Sequence, residues 1–143
     1  MTVLRHAGIV AADLERSLGF YRDLLGFRVV REMEESGPYL EALLGMPGAR
    51  VRTVKLAGTE GGAQVELLAF AAPADRGGGG ALNRPGPTHV AVTVRGIDDL
   101  YRRMRAAGVA FVSAPLGSPD GRVRVAFCRD PDGTFVELVE ERE

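Results

Sequence analysis

The sequence predicts an α+β protein built from two copies of one unit, each a strand, a helix and then three strands. Three observations carry this reading. A histidine opens a strand-like run twice, His6 in HAGIV and His89 in HVAVTV. Each run is followed by a segment of helical spacing that ends at a glycine. Each half then closes on nearly the same word, VELL around Glu66 and VELV around Glu137.

In the first half, HAGIV is the opening strand, and AADLERSLGFYRDLLGF then places Leu14, Leu18, Tyr21 and Leu25 on one helical face. Asp13 is suited to cap that helix and Gly26 to stop it. Three strands follow over FRVVREM, VRTVKLA and AQVELLAF, all enriched in β-branched and aromatic residues. The second half repeats the order: HVAVTV, a helix capped by Asp98 with Leu100, Met104 and Ala107 on its apolar face, a stop at Gly108, then strands over VAFVSAP, VRVAFCRD and TFVELVE.

Module one therefore spans about residues 1–72 and module two about 87–143. The connector of about residues 73–86 is rich in glycine and proline and holds neither a helix nor a central strand. One stretch, ESGPYLEALLGMPGA, has no counterpart in the second half. It carries a short helical signal from Tyr39 to Leu44 and reads as a surface elaboration in preference to a lid.

At 143 residues the chain suits one domain of two modules. Its 45% hydrophobic and 26% charged residues are ordinary for a globular protein with a continuous core. A net charge of −1 with scattered basic residues offers no footprint for nucleic acid or an anionic membrane surface. The opening MTVLRHAGIV does not read as a leader, and no long apolar run follows, so the cytoplasm is the expected location. Cys128 is the only cysteine, which rules out an intramolecular disulfide, and VAFCR reads as a packed strand rather than a nucleophile's setting.

The candidate site comes from the repeat and from strand alternation, because residues two apart share a face. His89 shares its face with the small Ala91 and Thr93, opposite the apolar row Val90, Val92 and Val94. Glu66 lies with Gln64, Leu68 and Phe70, and Glu137 with Phe135 and Val139. Either glutamate is thus flanked by apolar residues on both faces. A lone carboxylate withdrawn from water needs a cationic partner or a raised pKa. One histidine or strand glutamate alone is commonly a hydrogen-bonded core or edge residue. Four at matching places point instead to a shared ligand: two imidazoles and two carboxylates balance one divalent ion, with donors that suit Zn, Ni, Co, Mn or Fe.

These words, HAGIVAADLERSLGFYRDLLGF, VELLAF, THVAVTVRGIDDLYRRMRAAGV and FCRDPDGTFVELVE, resemble the vicinal oxygen chelate superfamily over nearly the whole chain. That family includes glyoxalase I, methylmalonyl-CoA epimerase, extradiol dioxygenases and bleomycin resistance proteins. The resemblance implies tandem βαβββ modules forming an eight-stranded, U-shaped mixed sheet around a metal cup. It also implies one divalent ion held by His6, Glu66, His89 and Glu137, a small-molecule substrate and, by analogy, a homodimer. The quartet is most similar to glyoxalase I. Bacterial glyoxalase I commonly places an arginine and an asparagine for glutathione where this chain has Val10 and Phe70.

The expected activity is a glyoxalase I-like lyase or isomerase, acting by proton transfer next to a metal-bound carbonyl and not on a glutathione adduct. Glu137 is the first choice of general base and Glu66 the second; Phe70, Leu68 and Phe127 are candidate pocket residues. The alternative is a small-molecule binding protein of the bleomycin-resistance type, with epimerase and extradiol dioxygenase ranked lower.

Overall fold

The structure, a computed structural model, describes residues 1, 4–73, 75, 80–83, 87 and 89–142. Most of the connector expected at residues 73–86 lies outside the described residues. The chain divides into two compact units, Met1–Gly77 and Gly78–Glu143.

In the first unit, β1 (His6–Val10) leads through Asp13 into α1 (Leu14–Leu18), and the Asp13 carboxylate accepts from the Arg16 backbone N–H at 3.1 Å. Helical spacing held only this far. Residues Gly19–Leu24 continue as a π-helical stretch, with Leu25 N–H donating to the Phe20 carbonyl at 3.0 Å. The wider turn adds a residue between successive inward positions. Phe20 and Tyr21 are consequently both buried and meet edge to face, with ring centroids 4.9 Å apart. Gly26 ends the segment at φ 85°, a left-handed position where a Cβ would be strained.

Three strands follow, β2 (Arg28–Ser36), β3 (Arg50–Ala57) and β4 (Gln64–Ala72), with α2 (Pro38–Leu44) between β2 and β3. Proline opens α2 and Gly45, at φ 65°, closes it, as the punctuation in the sequence implies. The sheet order is β1-β4-β3-β2, with β1 parallel to β4 and the other pairs antiparallel.

The second unit has β5 (His89–Thr93), α3 (Ile97–Ala106), β6 (Leu116–Gly117), β7 (Val123–Arg129) and β8 (Phe135–Glu141), in the order β5-β8-β7-β6. Here too the first strand runs parallel to the last, β5 beside β8. The two four-stranded mixed sheets thus share one topology, that of tandem βαβββ modules.

Two expectations about this half need correction. Asp98 does not cap α3: Gly96 does, at φ 67°, and the Glu140 carboxylate on β8 accepts from the Gly96 and Ile97 backbone N–H groups. Burial of Ile97 draws the helix start two positions earlier, which leaves Asp98 in the first turn, where it meets Arg124 at 2.7 Å. The strand expected over VAFVSAP is reduced to an isolated bridge from Phe111 to Cys128. Pairing resumes at Leu116 after the Ser113–Pro115 stretch, whose proline cannot donate to a ladder.

α1 with its π-helical extension covers one face of the first sheet, and α3 one face of the second. Leu14, Leu18, Phe20 and Tyr21 are buried with Ile9, Val54, Leu56, Val65 and Leu67; Ile97, Leu100 and Met104 with Ala126, Cys128, Val136 and Leu138. A fully buried side chain of this size stabilises by about 1.5–3 kcal/mol, so these faces hold the sheets in shape. The opposite faces are left for chemistry. Among the described residues no helix is long and apolar enough to cross a membrane.

Cys128 lies in the helix-covered face of the second sheet with no solvent exposure, as expected for a packed residue. Burial pushes its thiol up from 9.0 to about 12. The folded chain therefore keeps a proton that the unfolded chain loses above about pH 9, so this contribution to stability is lost as pH rises from 9 toward 12. Ellman's reagent is expected to leave native Cys128 unreacted at pH 8 and to titrate one thiol per chain in guanidinium; prompt reaction of the native protein would contradict the burial.

Candidate metal-ligand pairs

The register of each sheet sets the site, because residues directly paired across strands share a face. In the first sheet, β1 pairs Gly8 with Glu66 and Val10 with Leu68, while β3 pairs Lys55 with Glu66 and Val51 with Phe70. One face therefore presents His6, Gly8 and Val10 on β1, Glu66, Leu68 and Phe70 on β4, and Lys55 and Val51 on β3. In the second, Glu137 is flanked by Ala91 on β5 and Phe127 on β7.

On these faces the predicted ligands meet in pairs. His6 Nε2 lies 3.6 Å from Glu66 Oε2, and His89 Nε2 lies 3.3 Å from Glu137 Oε2. Both separations exceed ordinary N–H···O hydrogen bonds of about 2.7–3.2 Å. Two donors each about 2.0–2.2 Å from one ion, at 90–109° to one another, stand roughly 2.8–3.6 Å apart. The spacing and the donor types thus fit two ligands turned toward one cation. Both pairs are half-buried, with Glu66 at 15% and Glu137 at 23% side-chain exposure.

What the structure does not gather is the quartet: among the described residues, no three or more His, Cys, Asp or Glu side chains form a group able to hold an ion. His6 and Glu66 belong to one compact unit, His89 and Glu137 to the other.

Sequence reasoning overlooked Lys55. Its Nζ lies 3.8 Å from Glu66 Oε2, and its side chain is only 18% exposed. At the matching register of the second sheet stands Phe127, whose ring meets that of His89 edge to face at a centroid distance of 5.4 Å. The two glutamates are thus inequivalent: Glu66 has an ammonium across the strand and Glu137 has an aromatic ring. VRTVKLA carries the signal in its alternation, since Val54 and Leu56 point to the core and Lys55 away from it. Only the β3–β4 register says that it lands beside Glu66.

Of the candidate pocket residues, Phe127 lies beside His89, while Leu68 and Phe70 pack against Leu40, Ala49 and Val51. The segment around α2 is therefore more than a surface elaboration. Leu40 and Ala49 are buried on the continuation of the Glu66 face and make a wall there. Next to it opens a cavity of about 230 Å³ lined by Val10, Ala11, Ala12, Met46, Phe70, Pro73 and Asp75. Its walls are mostly apolar, and Val10 and Phe70 come from the same sheet face as the His6–Glu66 pair.

The turn before β8 is built to place Glu137. Asp130 is buried, and its carboxylate accepts from the backbone N–H groups of Asp132 and Thr134, both at 2.9 Å, closing the RDPDG turn. Arg129 lies 3.9 Å over the Phe135 ring, tying the two strands at the His89 end.

Comparison with known proteins gives a consistent picture. The profile of the Glyoxalase/Bleomycin resistance protein/Dioxygenase superfamily matches residues 3–138. The chain is similar to a protein of Vibrio cholerae named "Probable lactoylglutathione lyase", 29% identical over 96% of this chain and 90% of the relative. It is also 29% identical to the lactoylglutathione lyase of Haemophilus influenzae, over 96% of this chain and 91% of the relative. Among solved structures, a glyoxalase family protein from Bacillus cereus superposes with a TM-score of 0.89 at 22% identity, covering 100% of this chain and 97% of that one. The trypanothione-dependent glyoxalase I of Leishmania major gives a TM-score of 0.68 at 24% identity, covering 99% and 88%.

Proposed function

Because this chain belongs to the Glyoxalase/Bleomycin resistance protein/Dioxygenase superfamily, we propose that it is a divalent-metal-dependent lyase or isomerase that moves a proton next to a carbonyl, on a substrate other than a glutathione adduct. The observation that carries the reading is the pair of equivalent His–Glu couples at ligand-like spacing, 3.6 Å and 3.3 Å, one on each sheet. The naming of relatives as lactoylglutathione lyases supports the reaction class.

His6, Glu66, His89 and Glu137 would hold the ion. When bound, it supplies Lewis-acid stabilisation of the negative charge that develops on a carbonyl oxygen as the adjacent proton leaves. The chain's own groups do the rest. Glu137 takes the proton and returns it to the neighbouring carbon, while the two imidazoles and Glu66 keep their places. Phe127, packed on His89, limits how far that imidazole can swing and helps keep water from the carbon being deprotonated. Val10 and Phe70 offer no hydrogen bond to a glutathione carboxylate, which is why that adduct is set aside.

The direct test is a titration of metal-free protein with Ni, Co, Zn, Mn and Fe(II) salts, followed by calorimetry and elemental analysis. One ion per site is expected, with affinity lowered at least tenfold in His6→Ala and again in His89→Ala. Wild-type protein that takes up none of the five ions would end the proposal. Methylglyoxal with glutathione is expected to give no lactoylglutathione; rapid turnover would reinstate the glutathione substrate. A second reading, sequestration of a small apolar compound, is favoured by the cavity beside Phe70 and would be upheld by tight binding without turnover.

A further inference from the structure

Lys55 is not among the four groups assigned to the ion, yet it stands beside one of them. Its Nζ is 3.8 Å from Glu66 Oε2, with both side chains mostly withdrawn from solvent. The contact is longer than a hydrogen bond, so the ammonium is an electrostatic neighbour whose N–H donors Glu66 does not consume. The next position across the sheet adds a second cation. Arg31 on β2 pairs directly with Lys55, so Arg31, Lys55 and Glu66 form one row on one face. Like charges directly opposite each other across a ladder are unfavourable unless an anion answers them.

Charge counting gives the consequence, and it rests on the metal reading above. Two neutral imidazoles, the Glu66 and Glu137 carboxylates and one divalent ion sum to zero. Once Glu66 is committed to the ion, Lys55 is left without an equal negative partner. The second sheet supplies no such excess, since the equivalent position there is Phe127.

We propose that Lys55, with Arg31 behind it in the row, gives the site one positive charge beyond its ligand set and so selects a monoanionic, carboxylate-bearing carbonyl substrate. The carboxylate lies at the Lys55 end of the Glu66 face. The remainder of the molecule is apolar, because the face runs from Glu66 through Leu68 toward Phe70 and the cavity that Val10 and Met46 line. A small 2-oxo or 2-hydroxy acid with an alkyl or aryl substituent has this layout. Lys55 acts here on substrate binding and takes no part in the proton transfer.

The test compares mandelate, a 2-hydroxycarboxylate, with its neutral counterpart mandelamide, on ion-loaded protein by calorimetry. The ion itself favours the acid in every variant, so the quantity that reports on Lys55 is the change in the mandelate-to-mandelamide affinity ratio. That ratio is expected to fall by about ten- to a hundred-fold in Lys55→Met and to recover most of its value in Lys55→Arg, where the charge is kept. Ion stoichiometry and circular dichroism are measured on each variant. An unchanged ratio in Lys55→Met with the ion retained overturns the assignment. So does loss of the ion in Lys55→Met alone, which would make Lys55 a structural partner of Glu66. Wild-type protein that binds no ion overturns both this inference and the metal reading.

Discussion

Glu137→Gln is expected to slow proton transfer by about 10²- to 10⁴-fold while leaving the fold intact. Glutamine keeps the shape of the side chain and its packing between Ala91 and Phe127, but it cannot accept the proton. Exchange of the α-proton of dihydroxyacetone into D2O, followed by NMR on ion-loaded protein, reads the step without knowledge of the natural substrate. Glu66→Gln is expected to cost less in this exchange and more in ion affinity. The difference follows from the surroundings: the Lys55 ammonium, 3.8 Å away, favours the charged form of Glu66 that an ion needs, whereas Phe127 leaves Glu137 without an equivalent cross-strand charge. A larger loss in Glu66→Gln than in Glu137→Gln would exchange the two roles.

Leu138→Ala is expected to lower stability by about 2–5 kcal/mol, a drop in melting midpoint on the order of 10 °C. Leu138 follows Glu137 on β8, points to the opposite face and is 0% exposed. It lies in register with Ala126 and Val92, in the face that buries Leu100 and Met104. Alanine would leave a void in a closely packed layer and loosen the strand that carries the candidate base. Thermal unfolding by circular dichroism checks it, with Leu138→Met as the volume-conserving control expected to cost under about 1.5 kcal/mol. A Leu138→Ala protein as stable as wild type would mean that this layer does not carry β8.

The two predictions concern adjacent residues because a strand divides its duties between faces. Leu67 and Leu138 face the helices while Glu66 and Glu137 face away, a division that the period of two already shows in VELL and VELV. The repeat and the succession of strand, helix and three strands along each half were legible for the same reason. They follow from alternation, turn punctuation and the duplication of one pattern. The caps at Asp13 and Gly26 were equally legible, being set within a few residues of chain.

Features that depend on residues distant in sequence were not. Glu140 on β8 reaches 44 positions back to the Gly96 N–H and takes the capping role from Asp98. Burial of both Phe20 and Tyr21 against a sheet not yet formed at that point in the chain turns a regular helix into a π-helical one. VAFVSAP has strand-forming composition, yet Pro115 and its neighbours break the ladder to β7.

By itself the sequence determined a duplicated βαβββ chain and singled out four side chains as candidate ligands, because periodicity and repetition are local properties of the chain. The tertiary structure alone decided that Lys55 stands beside Glu66, that Phe127 occupies the corresponding place beside Glu137, and that Met46, just beyond α2, joins Val10 and Phe70 in lining a mostly apolar cavity. Cross-strand register is the physical reason: it is settled by the packing of whole sheets on their helices, and a slip of one residue would turn every one of these side chains to the other face.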